Sequence, residues 1–284
     1  MKGISFSVCF IIFSLSPSFS EGQTLAFYAD VMINADKAEH RSYAAKEFSK
    51  LLAERLNDDN QEISDLEEIP WINTQYAPDS SFLTITWYLN IGEGVYFADG
   101  YLKSDNLLWK LGGRRGQSSL RSNQEISFDR WKGGLIYKIL PSMKEGAYLL
   151  LSYGQTDEFT KYKTLEPLHF GSEGPIVGKS GFFQGQPEIQ SAARLAMQYS
   201  VDSNAGYTLD EETLKIVFDN LAPVQGRLPG QGPTMVPDGS YKAFELNASG
   251  EWVFVEKLYD QWNEGPLQSN RDRSSDKVLF KGKN

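Results

Sequence analysis

WKGGLIYKILPSMKEGAYLLLSYGQTDEFTKYKTLEPLHFGSEGPIVG, residues 131–178, is the stretch whose reading decides the fold. Residues 131–140 and 147–153 are rich in Ile, Leu and Tyr and are separated by a turn-forming run, 141–146. Gly154-Gln155-Thr156-Asp157 turns the chain again, 162–170 is a third extended run, and Gly171-Ser172-Glu173-Gly174 is a tight turn before a short fourth run at 175–178. Apolar and aromatic runs bounded by Gly, Pro, Asp and Ser read as antiparallel strands. A four-stranded meander is the shape of one propeller blade or one sheet of a sandwich.

The same pattern continues on both sides. In SFLTITWYLN, Phe82, Thr84, Thr86 and Tyr88 share one face and Leu83, Ile85, Trp87 and Leu89 the other, a period of two. VYFADGYLK returns after the turn at 91–94, so 82–103 is a hairpin, and 107–111 is a third strand. Towards the C-terminus, 192–201 suits helix or strand, and the polar turn at 202–206 favours a strand end. Residues 206–209 pair with 214–218, and 240–246 with 251–258. Between these hairpins the proline- and glycine-rich stretch 222–237 reads as a long loop. The total is about 12–13 strands. The expected fold is a mainly β, antiparallel meander, propeller-like, with a β-sandwich as the alternative. The strand units share no motif at a fixed spacing, so no sequence repeat supports a propeller.

One amphipathic helix is expected at 37–56. Asp36 is its N-cap and Glu39 completes a capping box, with Ala44, Ala45, Phe48, Leu51, Leu52 and Leu56 on one face. Residues 24–80 are therefore a helix and an acidic connector, in which Ile69 and Trp71 are the tethers. Residues 81–259 are the β domain and 260–284 a polar tail.

Residues 1–20 read as a secretory signal peptide: Lys2, an apolar run over 4–15, Pro17, then small residues Ser18 and Ser20 before Glu21. Cleavage as late as Gln23 fits the same pattern. The apolar run falls well short of the ~20 residues that cross a bilayer. The expectation is a periplasmic or secreted protein with no transmembrane anchor after cleavage. Cys9, the one cysteine, lies inside the apolar run, so the mature chain has neither disulfides nor thiolate chemistry. The net charge of −9 lacks the basic patch that nucleic acid requires. Six Trp, 14 Tyr and 17 Phe fit a β core, with a platform for stacking sugars or peptides as the sharper alternative.

FLTITW, YFADGYL, WKGGLIYKI, AYLLLSYG, LEPLHF with PIVG, LKIVFDNLAP, VPDGSYKAF and EWVFVE, in that order, resemble a family of uncharacterised exported β-rich proteins of Bacteroidetes-type bacteria. VMINA followed by HRSYAAKEF is similar to the N-terminal part of that group. The resemblance covers 27–256 and implies export and a β fold. It carries over no catalytic residues. The turn at Gly154-Gln155-Thr156-Asp157 departs from the Gly-Asp turn typical of the group.

Little in the sequence points to a reaction. The two histidines, His40 and His169, are too few for a His-rich metal site, and no Gly-x-Ser-x-Gly elbow accompanies them. The glycine–arginine run 112–116 lacks the following helix of a phosphate loop. Asp99, Asp129, Asp157, Glu166, Asp219 and Asp238 are the candidate acids of a glycosidase-type pair, but no spacing joins any two of them. Asp99-Gly100 and Asp238-Gly239 read as turns, and Asp210-Glu211-Glu212 as a solvated hairpin tip. Trp87, Trp109, Trp131 and Trp252 are expected mostly in the core. No catalytic, metal or cofactor residue is assigned. The expected function is an exported, soluble, non-catalytic binding or assembly module with a protein or glycan partner. The alternative is a carboxylate-dependent hydrolase acting on glycans.

Overall fold

The structure is a computed structural model that describes residues 21–58, 63–112, 120, 122–142 and 146–260. The expected signal peptide, most of the glycine–arginine run and the tail beyond residue 260 lie outside the described residues.

Two helices come first, α1 (Glu21–Asn34) and α2 (Ala38–Leu56). The sequence led us to expect α2 with no more than a turn of helix at 31–33 before it. Leu25, Ala29 and Met32 recur at helical spacing on α1 and are fully buried against Ala44, Phe48 and Leu52 of α2. Packing of that stripe forms α1 where local sequence shows no cap. Asp36 is not the N-cap of α2. Lys37 holds that position without a side-chain bond, and Arg41 Nη1 closes the turn by donating to the Ala35 and Asp36 carbonyls.

The first sheet follows, in order β1 (Ile72–Tyr76), β2 (Leu83–Asn90), β3 (Tyr96–Ser104) and β4 (Leu107–Lys110). The acidic connector is thus more ordered than its sequence suggests. It contains a 3-10 turn, Ser64–Glu68, and the edge strand β1. Its expected tethers hold: Ile69 is buried, and Trp71 Nε1 donates to Asp30 Oδ1 at 3.2 Å.

The stretch 131–178 lies in the second sheet. β5 (Ile126–Ser127), β6 (Leu135–Pro141), β7 (Ala147–Gln155), β8 (Thr160–Gly171) and β9 (Gly174–Val177) run in spatial order β5-β9-β8-β7-β6. After β10 (Phe183–Gln184) and the short helix α3 (Pro187–Gln190), β11 (Leu195–Ser200) pairs with the part of β8 that β9 leaves open. Within 192–201 the strand is Leu195–Ser200, and no helix forms there.

The third sheet contains β12 (Tyr207–Asp210), β13 (Lys215–Gln225), β14 (Pro233–Leu246) and β15 (Trp252–Asp260), in order β10-β15-β14-β13-β12. β10 joins β15 in parallel, which the antiparallel expectation missed. The fold is mainly β in several antiparallel sheets. No closed barrel or propeller is found among the described residues.

Three cores stack these elements into layers. The odd face of β2 (Leu83, Ile85, Trp87, Leu89) packs on the two helices. Its even face carries Phe82 and, with Ala98 and Leu102 of β3, meets Ile136, Tyr148, Leu150 and Leu168 of the second sheet. The other face of that sheet, with Leu149, Leu151 and Leu165, meets Ile216, Phe244 and Trp252 of the third. The middle sheet is covered on both sides, which is why AYLLL reads as a continuous apolar run instead of an alternating one. Each core is built around one buried tryptophan: Trp87, Trp131 and Trp252. Trp109 is half-buried.

The stretch 222–237 is not a loop. β13 and β14 extend through it as a two-stranded arm, with Leu221 opposite Pro237, Pro223 opposite Met235 and Gln225 opposite Pro233. Gly226 N donates to Gly232 O at the tip. Counting back from that bonded pair, all three proline-bearing pairs are non-hydrogen-bonded ones, whose N–H groups point outward. The prolines therefore cost the ladder nothing and leave no N–H at those positions on the arm's outward edges, which no described strand covers.

Candidate functional site

Asp99 is the first candidate acid with a defined environment. Asp99 and Gly100 do not turn the chain. They lie within β3, and Asp99 pairs with Trp87 of β2. The carboxylate is 3.2 Å from Lys110 Nζ of β4. That ammonium also donates to Ser49 Oγ of α2 at 2.6 Å and to the Tyr101 hydroxyl at 3.3 Å, and sits 4.6 Å over the Tyr101 ring. Ser49 and Tyr101 share a 2.8 Å bond. Burial raises the Asp99 carboxyl above its usual range, and Lys110 opposes the shift. The group joins the helix layer to the sheet, and none of its bonds goes to another candidate acid.

Glu166 is fully buried on β8. Its Oε1 accepts from Trp131 Nε1 at 3.0 Å and its Oε2 from Thr164 Oγ1 at 2.7 Å. Thr164 in turn bonds Ser152 at 2.5 Å. Arg194 Nη1 lies 3.7 Å from Oε1. Burial raises the Glu166 carboxyl, against Arg194 and its two donors, and burial lowers the Arg194 guanidinium, against Glu166. With 2 % of either side chain exposed, no substrate reaches this pair. Its place is structural: it fills the junction where β9 and β11 meet along β8.

The remaining acids serve the backbone near them. Asp157 accepts from Phe159 N at the β7–β8 turn, and Asp219 accepts from Gly206 N. Asp238 accepts from Ser240 N and from Asn220 Nδ2 at an irregularity within β14, so it shapes a break in a strand instead of a free turn. Asp129 is exposed before β6. Asp210 caps its own hairpin tip through Thr213 and Glu212, as expected of a solvated turn. His169 Nε2 is 3.6 Å from Glu125, and burial lowers its pKa, with Glu125 opposing. His40 is exposed on α2. Among the described residues no group of three or more His, Cys, Asp or Glu side chains is placed to hold a metal ion.

A different group gathers at one end of the first and second sheets. Tyr88 and Tyr96 are diagonal neighbours on β2 and β3, and their rings stack at 6.3 Å with 16° between planes. The Tyr153 ring of β7 is 6.4 Å from Tyr88. All three are half-buried. The Tyr88 hydroxyl donates to the Gln155 carbonyl and accepts from Gln155 N, tying the two sheets together. Burial pushes that hydroxyl far above the usual phenol range. Lys132 Nζ lies nearby, 5.9 Å over the buried Tyr162 ring. Tyr88 packs against the core between the sheets and its hydroxyl is taken up by Gln155, so the partly exposed Tyr96 and Tyr153 are the members that an outside partner can reach.

The sequence reading missed Ser49, Tyr101, Lys110, Arg194 and the three tyrosines. For one of these a signal exists: Arg194 in AARLAM is a lone cation in an apolar run, which asks for a carboxylate partner if the run is buried. Compared with protein families, with curated proteins and with solved structures, the chain matches none.

Proposed function

We propose that the protein is an exported, soluble binding module of the cell envelope or secreted space that takes a glycan on the Tyr88–Tyr96–Tyr153 surface. The tyrosine group carries this reading: three half-open rings converge at one end of two packed sheets. The candidate acids, by contrast, are spread over all three sheets and bond to local donors. The signal-peptide pattern at 1–20 and the resemblance to exported β-rich proteins support export. Among the described residues no helix is long and apolar enough to cross a membrane. Sheet-on-sheet layering supports a sandwich-type stack as the finer description of the fold.

A glycan array probed with the mature chain and its Tyr96→Ala variant tests this reading. Binding that Tyr96→Ala removes without a change in Tm supports it. Binding that survives the substitution, or an array without binding, overturns it. A hydrolase reading keeps one observation, the raised Asp99 carboxyl, since a general acid needs such a shift. Turnover of array sugars that Asp99→Asn abolishes is its test.

A further inference from the structure

The arm at 221–237 differs from the rest of the third sheet. β12 pairs with β13 only as far as Phe218, and β15 pairs with β14 only as far as Ser240. Beyond those points the described strands pair only with each other. At the boundary the ladder breaks. Asp219 opposes Tyr241 and Leu221 opposes Pro237, so Asn220 alone faces Asp238, Gly239 and Ser240. Gly239 has φ +90°, open to glycine but strained for other residues. Side chains fill the break, with Asn220 Nδ2 donating to Asp238 Oδ2 at 2.6 Å. A ladder interrupted in both strands at one level bends and twists there.

One side chain bonds the tip to the second sheet. Gln231 is buried although the residues on either side of it are exposed. Its Oε1 accepts from Arg227 N and Leu228 N, which shapes the tip. Its Nε2 donates to Ser200 Oγ of β11 at 2.7 Å and to Phe159 O in the β7–β8 turn at 3.4 Å. The arm therefore has a break at its base and a polar latch at its end.

We infer that residues 222–236 form a hinged strap that opens about the break at Asn220 and Asp238–Ser240, with Leu221 staying packed on the core at its base, and whose tip is latched to the second sheet by Gln231. Opening uncovers the end of β11 and the β7–β8 turn. The same turn carries Gln155, the partner of Tyr88. The strap rests on its own geometry and is independent of the glycan reading.

The test uses the whole mature chain, with Ser200→Ala to remove the body side of the latch and Gln231→Ala to remove all of it. Trypsin cleavage at the tip after Arg227, and amide exchange at Val201, whose N–H is bonded to Phe159 O beneath the tip, report strap opening. Both are expected to rise about tenfold in each variant, the effect of one ordinary hydrogen bond on a local equilibrium. Exchange at Ile216 and Phe244 should stay at the wild-type rate. Unchanged cleavage and Val201 exchange in both variants would overturn the strap. So would a parallel rise at Ile216 and Phe244, because the arm would then open only with the sheet.

Discussion

The Arg194 guanidinium lies 3.7 Å from the Glu166 carboxylate, and both side chains are 2 % exposed. Removing one charge of such a pair strands the other, whereas removing both relieves two desolvation penalties. Arg194→Met should cost roughly 3–5 kcal/mol of unfolding free energy. Adding Glu166→Gln, which keeps an acceptor for Trp131 Nε1, should recover most of it. Urea denaturation of the two singles and the double decides. A double variant as unstable as Arg194→Met contradicts the desolvation account.

The pH dependence follows from the direction of the Glu166 shift. Burial raises its folded pKa above the unfolded value. Its contribution is therefore fully present below the unfolded pKa, about 4.3, and is lost as pH rises through the folded pKa. In Arg194→Met the carboxylate loses its opposing charge and this loss with pH deepens. The Tm gap between wild type and Arg194→Met should be smaller at pH 5 than at pH 7.5. A gap that widens on acidification would show that Glu166 is not the group responsible.

Trp87 is the centre of the helix–sheet core, edge-on to Phe48 at 5.0 Å. Trp87→Ala should cost about 3–5 kcal/mol, as large-to-small core changes do. Because Trp87 belongs to one of three separate cores, amide exchange should rise first in α1 and α2, before the third sheet. Uniform exchange throughout would mean that the layers unfold as one unit.

Pro233 and Pro237 leave no N–H at their positions on the outward edge of β14. Pro233→Thr with Pro237→Val returns two outward N–H groups to the edge of β14 without disturbing its bonds to β13. Self-association should increase, as read by sedimentation velocity. A monomer indistinguishable from wild type would mean that something else guards that edge.

How much was legible varied with the range of the interactions involved. The period of two in FLTITWYL placed Trp87 and Thr86 on opposite faces, and the structure sends them to opposite layers. The turns of the stretch 131–178 located its strands to within a few residues. α1 was hidden because its stripe of Leu25, Ala29 and Met32 is stabilised by α2 and the first sheet. The arm was hidden because prolines read as loop unless their bonding register is known. Asp99 was misread because a Gly after Asp marks a turn only when the chain is free to turn, and β2 and β4 hold it straight.

What the sequence by itself determined is therefore local: strand period, the position of turns, the amphipathic face of α2 and the apolar run of a sheet covered twice. These depend on neighbours within a few residues. Tertiary structure alone decided which acid meets which cation, Asp99 with Lys110 and Glu166 with Arg194, and which tyrosines converge. Those pairs lie on different strands, and their distances are set by sheet register and by the stacking of layers, which no local spacing encodes.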